Sequence, residues 1–179
     1  VKVNGVDTAL VTRKDRLEPG QWTVEDRKTL YYRLPTGKSL SDLSFECSTR
    51  MHGVQIPQGT AHLLIKNLNI EHVFDDGFNL HQGANHITFT NCSARQCGDQ
   101  GFSSHSGTEA VFEGGVLEEC KDGVYNVNTS GSLVMRGTII RNNRQVGFAV
   151  SRNTKAHYTL NDVILVDNPQ PLMGSNYEV

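Results

Sequence analysis

A parallel β-helix, an all-β solenoid, is the fold this sequence predicts, and three observations predict it. First, a line of about two dozen residues returns five times, over 61–83, 84–107, 108–130, 131–153 and 154–176. Repeats of this length mark stacked coils, none of which can bury its apolar face alone. Second, apolar ladders climb through the lines with one shared, uneven spacing. Leu63, Ile87, Ala110, Leu133 and Tyr158 step together with Ile65, Phe89, Phe112, Met135 and Leu160, and with Ile70, Ala94, Leu117, Ile140 and Leu165. Third, each line carries short alternating runs such as Leu63-x-Ile65 and Phe78-x-Leu80, broken by Asn, Asp and Gly. That is the period of a strand with one buried face, and it is too short and too interrupted for helix.

Each coil is expected about 4.8 Å above the last, the spacing of paired strands. A fourth ladder, Val73, Cys97, Cys120, Asn143 and Asn168, predicts a column of buried thiols continued by stacked asparagines that hydrogen-bond between coils. Cys97 and Cys120 then stand one coil apart, near enough to bridge. A fifth ladder is read as Phe78, Phe102, Tyr125 and Phe148. Gly53, Gly77, Gly101, Gly123 and Gly147 recur at one turn, which demands either a positive φ or a close approach of neighbouring coils. HGVQI at 52–56 mirrors DGFNL at 76–80, so the solenoid is expected to begin one coil before residue 61. Ser41–Cys47 would supply that coil's earlier strand, giving about six coils over 41–179.

Residues 1–40 break the repeat and read as an irregular N-terminal lead-in or cap, which a solenoid needs to close its open strand edge. The other end, NPQPLMGSNYEV, offers no comparable cap, so further coils or a second chain are expected to cover it. The net charge of -2 gives no electrostatic case for nucleic acid. No apolar run reaches the roughly 18 residues of a membrane span.

Polar residues gather beside the glycine turn on consecutive coils. Asp75 and Asp76 precede Gly77, Asp99 and Gln100 precede Gly101, and Lys121 and Asp122 precede Gly123. His81, His105 and Asn128 follow four or five residues later, with Asn79, Ser103 and Asn126 between. Asp before Gly is also a common turn dipeptide, because Asp caps its own backbone. Asp76 and Asp122, two coils apart, would have backbones about 9.6 Å apart. That suits the acid and base of an inverting glycosidase, with Asp99, His81 and His105 as further catalytic candidates. Asp75 and Asp99 share a column, and two carboxylates so close either raise one pKa or hold a cation such as Ca²⁺. Elimination would instead need Lys121 or a histidine as base. Arg144, one coil on, is a candidate clamp for a substrate carboxylate. Asp75, Asn79, Ser103, Asn126, Asn128, Lys121 and Arg144 form the candidate substrate-binding set. The single Trp22 lies outside the repeat, so no aromatic platform for a sugar is evident within it.

From residue 17 onward the chain resembles the right-handed parallel β-helix proteins of the pectate-lyase-like superfamily. LEPGQW and TLYYRLPTG, followed by HLLIKNLNIEH, DDGFNLH and GDQGFSSH, resemble its bacterial members linked to polysaccharide breakdown. The resemblance implies a right-handed coil, a secreted or periplasmic location, and a polysaccharide or oligosaccharide as partner. It implies either a glycoside hydrolase or polysaccharide lyase, or a non-catalytic glycan-binding or adhesin-type module. Of the polygalacturonase-type motifs, Asp75-Asp76 and His52-Gly53 are present, while Asn-Thr-Asp and Arg-Ile-Lys are not.

Overall fold

The computed structural model describes residues 1–25, 29–126, 130–150 and 155–174. The chain divides into two compact units, Val1–Ser48 and Thr49–Val179. In the first, Lys2–Val3 pairs antiparallel with both Val6–Asp7 and Phe45–Glu46. Trp22–Glu25 and Thr29–Tyr32 form a hairpin. Trp22 is buried there, and its indole Nε1–H donates to the Thr8 carbonyl at 2.9 Å. Phe45–Glu46, expected to start the solenoid, therefore pairs within this unit instead, because its backbone meets Lys2–Val3 rather than a following coil.

The second unit is a parallel β-helix of three sheets. Ala61–Lys66, Asn85–Thr90, Thr108–Glu113, Gly131–Arg136 and His157–Asn161 form the first sheet. Asn69–Glu71, Ser93–Arg95, Val116–Glu118, Ile139–Arg141 and Ile164–Val166 form the second. The third has six strands: Val54–Ile56, Phe78–Leu80, Gln100–Ser104, Asp122–Asn126, Val146–Val150 and Gln170–Met173. The solenoid is thus about five turns with one extra strand at its start. The first three predicted ladders are the observed registers. Inside, Phe78, Phe89, Phe102 and Phe112 interlock edge-on and stacked, with ring centroids 5.1–5.9 Å apart. Each is fully buried, a contribution of roughly 1.5–3 kcal/mol apiece before entropy.

Two corners of every coil are left-handed. Asn67, Asn91, Gly114, Gly137 and Asp162, with φ between 51° and 70°, turn the chain from the first sheet to the second. His72, Gln96, Glu119, Asn142 and Asp167, with φ between 52° and 57°, turn it towards the third. Asn, Asp and Gly pay least for this conformation. The recurrent glycines of the third corner do something else. A Cβ on Gly77 would lie 2.6 Å from the Gly101 carbonyl oxygen, on Gly101 2.8 Å from that of Gly123, and on Gly123 2.6 Å from that of Gly147. Close coil-to-coil approach, not positive φ, is what glycine provides there.

The thiol and asparagine column forms as expected. Cys97 and Cys120 are free and buried. Their mutual hydrogen bond and then their burial hold the Cys97 thiol far above the ordinary range. Asn143 Oδ1 accepts from the Cys120 N–H at 3.0 Å, and Asn168 Oδ1 accepts from the Asn143 N–H at 3.1 Å. Outside the second sheet, charges alternate up one column: Arg95 lies 3.6 Å from Glu71, and Arg141 Nε donates to Glu118 at 2.8 Å.

The fifth ladder differs from the prediction. Phe102 pairs with Val124, and Val124 with Phe148. The turn between Cys120 and Gly123 is one residue shorter than that between Cys97 and Gly101, so the step here is 22. Val124 fills the core, while Tyr125 pairs with outward-facing Ser103. By Thr108 and Gly131 the step of 23 has returned.

Gly101→Ala should lower stability by about 3 kcal/mol, because an added methyl comes closest to the next coil's backbone, at 2.8 Å, which cannot swing aside. Urea unfolding followed by circular dichroism measures this; a loss under about 0.5 kcal/mol would contradict the tight-approach reading.

Candidate functional site

The stacking that buries the phenylalanines also aligns the polar turn. Asp75 and Asp99 fall in one column, joined by the Asp99 N–H to Asp75 carbonyl bond of 3.1 Å; the Lys121 N–H continues it to Asp99 at 2.9 Å. Asp76, Gln100, Asp122 and Val146 form the next column. In it, Asp76 Oδ1 accepts from the Gln100 N–H at 3.1 Å, and Asp122 Oδ1 accepts from the Val146 N–H at 3.0 Å. Each of these two carboxylates therefore holds the backbone of the coil above, and both are almost sealed, at 4% and 3% exposure.

Asp76 is the more unusual of the two. Its Oδ2 accepts from Asn79 Nδ2 at 2.6 Å and lies 3.9 Å from His52 Nδ1. Burial raises its pKa to about 7, against the Gln100 hydrogen bond and with help from the charges of Asp75 and Asp99. Asp75 is raised as well, first by burial, while His52 and Lys121 pull it down. Its Oδ2 also lies 3.9 Å from His52 Nδ1, and its side chain stays one-third exposed. His52 Nδ1 is buried without a hydrogen-bond partner among the described residues.

Asp99 is neutralised from one side. Lys121 Nζ donates to its Oδ1 at 2.8 Å, and Gln100 Nε2 donates to the same oxygen. That hydrogen bond raises the Lys121 pKa, so the amine stays an ammonium. An ammonium thus occupies the Asp75–Asp99 column where a cation was expected. The described residues with ligand atoms in mutual reach are instead His52, Asp75 and Asp76, within 4.8 Å of one another. A divalent cation could be held by these three.

Across the third sheet, the outward residues lead from this cluster to the histidines. Asn79 and Ser103 pair in register, and both are buried. His81 and His105 stack with centroids 5.4 Å apart and planes 7° from parallel. Gln55 Nε2 and His81 Nε2 share a hydrogen bond of 2.8 Å. Burial, and then His81 and His52, lower the His105 pKa. Gln58, His81, Gln82, His105 and Ser106 line a shallow trench of about 310 Å³.

Two expected members stand apart. Asn126 pairs with Ser104 in an inward column and is fully buried, since the shorter turn moved it one place. Arg144 sends its guanidinium to the carbonyls of Glu119, Cys97 and Gly98, at 3.1–3.2 Å. Asn128 lies outside the described residues. Two residues were missed: His52, which the sequence showed only as an isolated His-Gly, and Tyr125, which was placed in the core. The signal for Tyr125 was present, because the glycine ladder steps by 24, 24, 22 and 24.

Fold and site together define a parallel β-helix carrying a buried acid cluster beside a polar trench on one side of its third sheet. The family model described as "Right handed beta helix region" matches residues 40–176, and the chain belongs to that family. Comparisons with curated proteins and with solved structures returned no match. Among the described residues, no helix is long and apolar enough to cross a membrane.

Asp76 makes stability depend on pH. Its folded pKa, about 7, exceeds the ordinary 3.8, so its neutral form is the one the fold favours. Stability is full below about 4, falls as pH rises through that window, and levels off above about 7. Asp76→Asn cannot ionise, so its stability relative to wild type should climb by a few kcal/mol between pH 4 and 8. Urea melts at a series of pH values in chelator check this; a constant difference would contradict it.

Proposed function

We propose that this chain hydrolyses a polysaccharide, with Asp76 as general acid. The observation that carries the reading is the juxtaposition of a sealed carboxyl, a one-third-exposed carboxylate and a polar trench on neighbouring coils. Asp75 and Asp76 offer oxygens within 4.8 Å of each other. This is close to the roughly 5–5.5 Å of a retaining pair and short of the 6.5–9.5 Å that leaves room for an attacking water. Asp75 adjoins Asp76 whereas Asp122 lies two coils away, so Asp75 is the second carboxylate. Asp76 gives its proton to the glycosidic oxygen as that bond breaks, and Asp75 bonds to the anomeric carbon. Water then releases the sugar, its proton returning to Asp76. The raised pKa of Asp76 supports this role, since an acid must still carry its proton near neutrality.

Elimination needs a neutral base; Lys121 is held as an ammonium by Asp99, which leaves the histidines for that role. A secreted or periplasmic setting belongs to the same proposal and rests on the sequence resemblance.

The second reading is a non-catalytic glycan-binding or adhesin-type β-helix. It is favoured by the shared structural task of Asp76 and Asp122, each accepting a backbone N–H from the next coil. Product formation separates the two.

Incubation with neutral and acidic polysaccharides should release reducing ends without an unsaturated chromophore. Asp76→Asn should lower turnover by about 10²–10⁴-fold. In chelator, the wild-type rate should fall as pH rises past about 7, where Asp76 loses its proton. Full turnover in the variant would remove Asp76 from the mechanism, and no product on any substrate would leave the binding module.

A further inference from the structure

The one-residue shortening of the turn before Gly123 puts an aromatic ring on the face that carries the trench. Val124 takes the core position between Phe102 and Phe148 and is fully buried. Tyr125 alternates to the other side, in the outward column of Asn79 and Ser103, and is partly exposed. His105 lies on the same face, one coil and two residues away. The face therefore combines a flat ring with hydroxyl-binding groups. The stacked imidazoles of His81 and His105, and the amides of Gln58 and Gln82, each offer donors and acceptors.

Its charge is as informative as its shape. None of the five residues lining the trench carries a fixed charge. Burial beside a second imidazole favours neutral His105. Two cations of the following coils are engaged elsewhere: Lys121 with Asp99, and Arg144 with three backbone carbonyls. Asp75, at the other end of the face, would repel a uronate or a sulfate. Coils repeat at about 4.8 Å, a step comparable to one sugar of an extended pyranose chain. One sugar per coil can therefore lie along the solenoid axis.

We propose that Tyr125 and the Gln58–His81–Gln82–His105–Ser106 trench form a subsite for an uncharged, hydroxyl-rich saccharide segment, with the Tyr125 ring as its stacking platform. The inference rests on the polysaccharide reading above and specifies its substrate class. An apolar ring face meets the C–H surface of a pyranose, while its hydroxyl stays in water. The imidazoles and glutamine amides meet the sugar hydroxyls, each hydrogen bond contributing about fivefold in affinity.

The test is calorimetric titration at pH 7.5 with uncharged oligosaccharides (xylan, mannan and cellulose fragments) and with acidic ones (galacturonate and alginate fragments). Wild type should bind an uncharged fragment. Tyr125→Ala should weaken that binding about tenfold, Tyr125→Phe should keep it, and Gln82→Ala should weaken it about fivefold. Tyr125 and Gln82 point away from the core, and circular dichroism confirms folding of each variant. Binding of acidic fragments alone would overturn the subsite and leave the polysaccharide reading standing. Uncharged binding that ignores both alanine variants would overturn the subsite too. No binding of any fragment by wild type would overturn both readings.

Discussion

The close approach of coils along the glycine ladder is the constraint on which the rest depends. At Gly77, Gly101 and Gly123 the space a Cβ needs is filled by the next coil's carbonyl oxygen. Nothing but hydrogen fits. This pins each coil to the one above at a fixed corner, immediately beside the acid cluster. Asp75, Asp76, Asp99 and Lys121 come from three coils, and they meet because that corner allows no slack. A loop-built site would have to order each group separately; here the strand registers order them together.

The site also shows how a solenoid keeps charge buried. Asp76 and Asp122 each face an N–H that the following coil presents, so burial does not leave their oxygens unpaired. Asn143 and Asn168 do the same for a neighbouring column with neutral amides. What distinguishes Asp76 is the company of Asp75 and Asp99, whose negative charge adds to burial and holds its proton near neutrality. Geometry common to the corner thus acquires chemistry from a few extra carboxylates.

Much of this could be read in the sequence, because a stacked fold converts repeat spacing directly into contacts. The ladders of Leu63, Ile65, Ile70 and Val73 were each placed correctly. The failures have physical causes. Phe45–Glu46 has strand character, but which strand it joins depends on a non-local partner, Lys2–Val3. His52 was legible, since matching HGVQI to DGFNL puts it in the Asp76 column one coil below, but that match was used only to count coils. Arg144 looked free because backbone carbonyls, its actual partners, leave no trace in a sequence. At the second left-handed corner, Gln96 and Glu119 are residues that seldom adopt such φ values, and tertiary pairing overrode their preference.

Tyr125 carries a wider consequence. Its side chain faces outward because of the length of a turn; a turn one residue longer, like the one before Gly101, would put the same residue inside. Within a few residues the strands of the first sheet were back in step. In a fold of this kind, insertions and deletions at corners are an evolutionary route to new surfaces: one lost residue exchanges which side of a strand faces outward, while the apolar columns on either flank remain as they were.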